Sequence, residues 1–336
     1  MLDISNINQL TKYLLDRKLI SEENGYSINY CKGGVSGTVA FVYDKDKPMI
    51  IKQALAQLKT KETWLCDPNR MKVEYDSNAI YHQLMPENAP KVYFYDEENY
   101  IYGREAAPED CTMWKADLLS GLLDFEVAIK SIESLVTVHN VCSRDEKVAK
   151  DFDSKEVFYN LRISPYIEFI VQKYPQLDEY AKAVIDDMMK SKISLVHGDF
   201  SPKNIMNGAR KIWILDFEVA HYGHPAFDVA FFSNHFILKA VKNKQWAPAY
   251  LNMLDYMLGI YFGKMDFMDK KQMENSYVRT LSLLMIARVD GKSPAEYITD
   301  DGDKDLIRKL GFTIINEKMV DYREVLKLVI DSVTVK

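Results

Sequence analysis

The spacing of apolar residues divides the chain into a strand-rich first third and a helix-rich remainder. Ile7, Leu10, Leu14 and Leu15 recur at the spacing of one helix face, with charged residues between them. Residues 6–19 are therefore predicted to form an amphipathic helix.

Alternation of apolar and polar residues after this helix predicts β-strands. The strands are expected in YSINYC (26–31), in AFVYD after the glycine-rich segment, in MIIKQAL (49–55) and in a hairpin over 90–106. The hairpin is predicted to turn at Asp96–Asn99. One helix, over 70–84, interrupts these strands and places Val73, Ala79, Ile80 and Leu84 inward. The first hundred residues are thus predicted to be mostly sheet.

From about Pro108 onward the pattern becomes helical. Helices are predicted at 114–139, 156–173, 176–190, 225–241, 246–263, 273–288 and 304–335. Two short apolar strands, SLVHGD and KIWILDF, lie among them, and we expect them to be neighbours in one sheet. The change in pattern predicts two lobes, residues 1–105 and 106–336.

Composition narrows the function classes. The 336 residues carry a net charge of −6, and no segment is a basic stripe, which argues against nucleic acid as a partner. No apolar run approaches the ~18 residues that a membrane span needs, and the N-terminal segment is polar, so a cytoplasmic protein without membrane contact is expected. The four cysteines, Cys31, Cys66, Cys111 and Cys142, form no C-x-x-C pair and are expected to be reduced thiols.

Each of the two short strands ends in an aspartate. LVHGDFSPKN delivers Asp199 and, five residues later, Asn204; IWILDFE delivers Asp216. Phosphoryl transfer requires an aspartate that accepts the proton of the attacking hydroxyl, an asparagine that holds a metal ion, and a second acid for the metal that bridges the phosphates. The three residues fit these roles in order and spacing, and magnesium prefers such oxygen ligands.

The first third supplies the other half of this chemistry. GGVSGT is a glycine turn between predicted strands, whose backbone N–H groups can cover phosphates. Its candidate nucleotide-binding residues are Gly33, Gly34, Ser36, Gly37 and Thr38. Lys52 lies on the next strand, and Glu74 near the start of the following helix is its predicted ion-pair partner.

Three polar residues beside the aspartates have both functional and structural interpretations. His197 belongs to the catalytic loop and is expected to brace it through a hydrogen bond rather than to donate a proton. Lys203 either steadies the transferring phosphoryl group or is a solvated lysine. Asp228 is expected to be a buried carboxylate that caps a helix or braces a loop. His221, His224 and His235 match no metal-ligand spacing.

The segments LVHGDFSPKNI and ILDFEVAHYGHPAFDVAFF resemble the aminoglycoside phosphotransferase and choline kinase superfamily. That superfamily has the catalytic loop H-G-D-x-x-x-x-N and the metal motif D-x-D or D-x-E. The resemblance extends from about Leu10 to Tyr297. It implies an α+β, bilobal, protein-kinase-like fold with a small N-terminal sheet lobe that contains a helix and a larger, mainly helical C-terminal lobe. It also implies ATP and Mg²⁺ as cofactors.

Carried to this sequence, the resemblance implies Asp199 as catalytic base and Asn204 and Asp216 as magnesium ligands. Glu218 matches the second acid of D-x-E, and Lys52 matches the lysine that contacts the α- and β-phosphates. The backbone of Arg104, Glu105 and Ala106 is implied to meet the adenine edge where the chain passes between the lobes.

Several stretches are similar to 5-methylthioribose kinases within the superfamily: IIKQAL around Lys52, Trp64 followed by Arg70 and Glu74, MWKADLLSG and DFE. The segment FSPKN departs from that group next to Asp199, which places the acceptor in question. The stretch LLMIARVDGKSPAEYI also resembles a C-terminal element of the methylthioribose-kinase-like group. It suggests that Arg288 faces the substrate, although a pair with Asp290 or a helix-end position is an equal alternative.

The sequence therefore predicts an ATP:alcohol phosphotransferase that acts on a hydroxyl of a small metabolite, with a methylthioribose-like sugar as leading acceptor. A choline, ethanolamine, amino-alcohol or aminoglycoside kinase is the alternative with the same chemistry. A nucleotide-binding pseudokinase is the alternative from another class, disfavoured because none of the motif residues is lost.

Overall fold

A computed structural model of the chain describes residues 2–23, 25–31, 37–44, 48–54, 67–209 and 211–334. The strands of these ranges are β1 (Tyr26–Tyr30), β2 (Gly37–Asp44), β3 (Met49–Ala54), β4 (Val92–Asp96), β5 (Ile101–Glu105), β6 (Thr112–Met113), β7 (Ser194–Val196), β8 (Ile205–Asn207), β9 (Ile212–Ile214) and β10 (His221–Gly223).

The first helices are α1 (Ile7–Asp16), α2 (Arg70–Leu84), α3 (Trp114–Leu119), α4 (Phe125–Cys142) and α5 (Glu146–Asp151). A continuous helical segment follows, made of α6 (Glu156–Phe158), a wider π-helical stretch (Tyr159–Glu168) and α7 (Phe169–Lys173). The chain continues with α8 (Asp178–Lys190), α9 (Ala226–Lys242), α10 (Ala247–Lys264), α11 (Lys270–Asp290), α12 (Asp301–Asn316) and α13 (Tyr322–Thr334). None of the helices in the described ranges combines the length and the apolar character that crossing a bilayer requires.

The first lobe is an antiparallel sheet with the strand order β1-β2-β3-β5-β4. β3 is central and buried along its whole length, which fits its continuous apolar sequence. Helix α1 covers one face: Leu10 and Leu14 pack with Ala40, Val42 and Ile51 of β2 and β3. Helix α2 contacts β3, β4 and β5. The central strand therefore carries Lys52 into a position bounded by α2.

Helix α9 is the centre of the second lobe. Every residue from Ala226 to Val241 is buried, because α10, α11, α12 and α13 all pack against this helix. Its sequence has no polar face, as is typical of a helix that is surrounded by protein. The short strands β7 to β10 lie at the edge of this helical core that faces the sheet lobe. The predicted fold class is confirmed: the protein is α+β, with a sheet lobe followed by a larger helical lobe.

Several predicted elements are wrong in their extent. The expected helix over 114–139 is two helices, α3 and α4, because the chain turns at Gly121 with a φ of +84° and Asp124 then caps α4. The expected helix over 304–335 is also two, α12 and α13, and Lys318 with a φ of +53° lies in the break between them. Helix α5 was not predicted.

The expected pairing of the two aspartate-bearing strands is also wrong. Strand β7 pairs with β10, and β9 pairs with β8, both antiparallel. The two aspartates are brought together by the chain between the strands instead: the Leu215 N–H donates to the backbone oxygen of Asn204 at 2.9 Å.

Substitution of Gly121 by alanine is expected to destabilise the protein. An added Cβ would lie 2.6 Å from the Trp246 ring, and the left-handed backbone disfavours a side chain. A loss of roughly 1–3 kcal/mol in the free energy of unfolding is expected by chemical denaturation.

Gly259→Ala is the matched control, because Gly259 lies inside α10 and an added Cβ would meet no atom within 4 Å. Alanine there is expected to be neutral or to stabilise by up to about 1 kcal/mol. Equal effects of the two substitutions would contradict the role assigned to Gly121.

Candidate active site

An ion-pair cluster connects the two lobes at Lys52. The Nζ atom of Lys52 lies 2.7 Å from Glu74 Oε2 in α2 and 2.7 Å from Asp216 Oδ1, just after β9. The Tyr102 hydroxyl donates to the other oxygen of Glu74 at 3.1 Å. The predicted Lys52–Glu74 pair is thus present, and it extends to the acid predicted to bind the metal.

Burial and charge act in opposition on these groups. Burial opposes the charge of Lys52, but Asp216 and Glu74 outweigh it and hold the pKa of this lysine well above its usual range. Burial raises the pKa of Glu74 to about 7, and Asp216 and Glu218 add to the effect although Lys52 opposes it. Asp216 stays ionised, because Lys52 overcomes its desolvation and lowers its pKa. The carboxylates of Glu74, Asp216 and Glu218 outnumber the two cations that pair with them, Lys52 and Arg70, which favours a further cation.

A buried carboxylate sets the shape of the loop that follows β7. Asp228, in the first turn of α9, accepts from the backbone N–H of His197 at 2.7 Å and of Gly198 at 2.8 Å. Gly198 has a φ of +76°, and an added Cβ would lie 2.7 Å from the Val219 oxygen, so only glycine fits. His139 lies 3.3 Å from the same carboxylate. The loop-bracing role predicted for Asp228 is therefore present.

The fixed loop places Asp199 among three donors. Its Oδ1 lies 3.0 Å from Arg162 Nη2, and its Oδ2 lies 2.8 Å from Lys203 Nζ and 2.7 Å from Asn204 Nδ2. Burial would raise the pKa of Asp199, but the charges of Arg162 and Lys203 lower it, so the carboxylate is ionised. An ionised, firmly held carboxylate can accept a hydrogen bond from a hydroxyl group and orient it.

Two further oxygens complete the candidate metal site. Asn204 uses its Nδ2 atom for both hydrogen bonds to Asp199, which leaves its amide oxygen for a cation. Asp216 has the left-handed backbone, with a φ of +68°, and its side chain is partly exposed. Carboxylate oxygens of Glu74, Asp216 and Glu218 lie within 4.8 Å of one another. These hard oxygen donors suit Mg²⁺.

Glu218 has a partner that sequence reasoning did not assign. Its Oε2 lies 3.1 Å from Nε of Arg70, the first residue of α2, and both side chains are buried. The pair commits one Glu218 oxygen to a guanidinium, as Lys52 commits one Asp216 oxygen, and Asp216 is the more exposed of the two acids. Arg70 was noted in the sequence without a role.

The predicted nucleotide-binding residues fall into two groups. Gly33, Gly34 and Ser36 lie outside the described residues. Gly37 and Thr38 begin β2, and an added Cβ on Gly37 would lie 2.8 Å from the backbone oxygen of Gln53 on β3. Glycine is thus required there by the close approach of the two strands.

The structure places the expected hinge residues partly within the sheet. Arg104 and Glu105 are the last residues of β5, and the buried Ala106 is the first residue after it. The Ala106 N–H donates to the backbone oxygen of Pro48 at 3.3 Å. Contact of these three with adenine stays a prediction.

His197 lies behind the loop rather than at a reacting group. It is fully buried, its Nδ1 accepts from the Asp199 N–H at 3.2 Å, and its ring packs against Phe217 with centroids 4.8 Å apart. Burial lowers its pKa, so it is neutral. The hydrogen bond to the Asp199 N–H fits the bracing role expected for His197, and a catalytic role for it stays a prediction.

Sequence reasoning missed Arg162, which binds both the Asp199 carboxylate and the loop that carries Asp199. Its Nε donates to the Gly198 backbone oxygen at 2.7 Å, in addition to the pair with Asp199. Arg162 lies in the π-helical stretch that contains Pro165, far from the H-G-D segment in sequence. No local pattern marks it, and only the packing of that stretch against the loop reveals it.

The chain is similar in sequence to phosphotransferases. Residues 137–258 match the model of a phosphotransferase enzyme family, APH. Methylthioribose kinase from Bacillus cereus (strain G9842) is 25% identical over 240 residues, which cover 62% of this chain and 60% of that protein. The chain thus aligns with about 60% of the length of this curated relative.

Solved structures share the fold at lower identity. An ethanolamine kinase from Plasmodium vivax has a TM-score of 0.58 and 14% identity, and the match covers 93% of this chain and 90% of that one. Choline kinase from Cryptosporidium parvum Iowa II has a TM-score of 0.58 and 12% identity, with 94% and 99% covered. The predicted relation to the aminoglycoside phosphotransferase and choline kinase superfamily is confirmed.

Asp228→Asn is expected to destabilise the protein, because an amide has one acceptor atom where the carboxylate receives two backbone N–H groups. A buried donor left without a partner lowers the free energy of unfolding by an amount on the order of 2 kcal/mol. Asp301→Asn, at an exposed residue paired with Lys304, is the control and is expected to have little effect. Equal denaturation midpoints for the two variants would contradict the bracing role.

Proposed function

We propose that this chain, as a relative of the APH phosphotransferases, is an ATP- and magnesium-dependent kinase that phosphorylates a hydroxyl group of a small metabolite. The activity is a proposal for this chain, because the aligned relatives extend beyond the matched region. The observation that carries it is the contact of Lys52, from the sheet lobe, with the short segment that contains Asp199, Asn204 and Asp216.

The residues of the sheet lobe serve the nucleotide. Lys52 is held by Glu74 and Asp216, so its ammonium is fixed in place for the α- and β-phosphates. Gly37 and Thr38 begin β2, and an added Cβ on Gly37 would lie 3.6 Å from Cε of Lys52. In this arrangement Lys52 is already oriented before the nucleotide binds, which reduces the entropy that binding loses.

The residues of the catalytic loop serve the acceptor. The Asp199 carboxylate orients the acceptor hydroxyl and receives its proton as the bond to phosphorus forms. Arg162 and Lys203 lower the pKa of this carboxylate, so Asp199 is a weak base that acts chiefly by positioning. Such a base suits a loose phosphoryl-transfer transition state, in which the proton leaves late. Lys203, whose side chain is 45% exposed, has the reach to follow the transferred group.

The metal is assigned to Asn204 and Asp216, with Glu218 as a further ligand. A bound Mg²⁺ would neutralise charge on the β- and γ-phosphates. The chain contributes hard oxygen atoms in a cluster that is rich in carboxylates, and the left-handed backbone of Asp216 presents one of them at the junction.

The leading acceptor is a methylthioribose-like sugar or a charged derivative of such a sugar. Support comes from the methylthioribose kinases among the relatives, one of them 25% identical to this chain. Identity at this level leaves room for a change of acceptor within the same chemistry. The residues around FSPKN, next to Asp199, differ from those of the methylthioribose kinases and are where such a change is expected.

Asp199→Asn is expected to lower kcat by roughly 10²- to 10⁴-fold, because the amide does not accept the hydroxyl proton. Formation of ADP with an accepted substrate measures kcat, and calorimetric titration with Mg·ATP measures nucleotide binding, which is expected to persist. Asp151→Asn, at an exposed partner of Lys147, is the control and is expected to leave kcat unchanged. Wild-type turnover in Asp199→Asn would overturn the assignment.

Asp216→Asn is expected to raise the Mg²⁺ concentration needed for half-maximal activity, since one anionic ligand is lost. The left-handed backbone tolerates asparagine, so the fold is expected to persist. Activity measured as a function of Mg²⁺ at saturating nucleotide tests this expectation. An unchanged Mg²⁺ dependence would remove Asp216 from the metal site.

A further inference from the structure

Cationic and imidazole side chains gather on the side of Asp199 that faces α9 and α11. This group, the basic cluster, consists of Lys115, Lys203, His235, Lys239 and Arg288. Lys203 contacts Asp199 directly, at 2.8 Å, and reaches solvent. Lys115 lies at the other side and is also partly exposed. The cluster therefore extends from the catalytic loop into the helical lobe and opens to solvent at both of these lysines.

Aromatic rings connect the base to the buried part of the cluster. The Arg162 guanidinium, paired with Asp199, lies 5.7 Å from the centroid of the Phe231 ring. Phe231 in turn contacts the ring of His235, with centroids 5.2 Å apart, and the ring of Tyr166, 6.1 Å away. Arg288 Nη1 lies 3.4 Å from the Tyr166 hydroxyl. The rings of Phe231 and Tyr166 thus separate His235 and Arg288 from Arg162, which binds the catalytic loop.

Lys239 is a fully buried cation that has no carboxylate partner among the described residues. Its Nζ donates to the His235 backbone oxygen at 3.2 Å and lies 5.2 Å from the centroid of the Tyr297 ring. Lys115 Nζ lies 5.7 Å from the same ring. Burial lowers the pKa of Lys239 to about 7, and Lys115 and Arg288 add to the effect. The neighbouring lysine and arginine disfavour the charged form of this buried lysine, and a bound anion would favour it.

Several polar atoms of this region have no hydrogen-bond partner within the described part of the chain. They are Arg288 Nε, His235 Nε2 and the Tyr297 hydroxyl, all buried. Arg288 Nη1 donates to the Ser293 backbone oxygen, and the expected alternative pair with Asp290 is not formed, because Asp290 binds Lys173, Tyr174 and Arg308. A bound ion, water molecule or ligand satisfies buried polar atoms of this kind.

The nearby carboxylates do not balance these charges. Asp199 is held by Arg162, Asn204 and Lys203. Glu296 pairs with Lys115 and is 64% exposed. Lys239 and Arg288 thus form no ion pair with a carboxylate among the described residues.

We propose that the basic cluster binds an anionic group, a carboxylate or a phosphate, on the acceptor whose hydroxyl Asp199 orients. This inference rests on the proposed kinase function and names the substrate class of the same site. The Arg288 guanidinium and the ammonium groups of Lys115 and Lys239 suit an oxyanion, and the Tyr297 hydroxyl is a further donor. The uncharged methylthioribose would leave these groups unpaired, and a choline-like cation would be repelled. The acceptor is therefore a hydroxylated acid or a sugar phosphate.

The test is a calorimetric binding panel with the full chain in the presence of Mg·ADP. Neutral polyols and sugars of three to six carbons are each compared with the matching carboxylate and the matching phosphate, for example ribose with ribonate and ribose 5-phosphate. Choline represents the cations. At least one anion is expected to bind at least tenfold more tightly than its neutral counterpart. The carboxylate and phosphate arms identify which group the cluster takes.

Lys239→Met is expected to abolish that tenfold preference, since the apolar side chain has a similar length and no charge. Its thermal midpoint at pH 7 is expected to equal or exceed that of the wild type, because a buried ammonium is removed, so that lost binding is not unfolding. Lys242→Met, at the less buried lysine one turn later in α9, is the matched control and is expected to keep the preference. Arg288→Lys is expected to retain more of the preference than Arg288→Met.

The proposal is overturned if no anion in the panel binds more tightly than its neutral counterpart, or if Lys239→Met keeps the full preference. ADP formation on the same panel separates this result from the proposed function. Anions that bind with the Lys239-dependent preference but yield no phosphorylated product would support the site and contradict the kinase. Equal phosphorylation of neutral and anionic acceptors would support the kinase and contradict the site.

Discussion

The junction of the two lobes depends on buried ion pairs that run from the sheet lobe to one short segment after β9. Lys52 binds Asp216, and Arg70 binds Glu218 two residues later. Lys52 lies on the central strand β3, and Arg70 is the first residue of α2. Both elements of the sheet lobe therefore contact the same segment, residues 216–218. Because removal of one partner from a buried pair leaves an uncompensated charge, sliding of one lobe on the other is strongly resisted while both pairs persist.

The same pairs are the groups that a nucleotide and its metal would use. A cation at Asp216 competes with the Lys52 ammonium for one carboxylate, and phosphates compete with that carboxylate for the ammonium. Binding therefore exchanges partners within a fixed set of charges rather than building a site from solvated side chains. Glu74, with a pKa near 7, is the group whose protonation state responds first to such an exchange.

The sequence was informative where function requires fixed spacing along the chain. Asp199, Asn204 and Asp216 lie on one short segment, and Lys52 and Glu74 lie on a strand and the next helix. Their order predicted that they meet, although the strand pairing expected for the two aspartates is not formed. Arg162 and Lys239 could not be predicted in this way, because their positions depend on how helices pack. The extents of α3 and α4 were missed because the helical periodicity continues through Gly121, where only the left-handed turn and the Asp124 cap mark the break.

The burial of helix α9 sets the smallest part of this protein that can fold on its own. The region that matches the phosphotransferase family, residues 137–258, contains α9 but not α11, α12 or α13, which cover much of its surface. A fragment cut at those limits would expose a continuous apolar helix to water, and such surfaces drive aggregation. The region that matches the family is thus smaller than the unit that buries α9. Fragments for expression or complementation have to retain α11, α12 and α13.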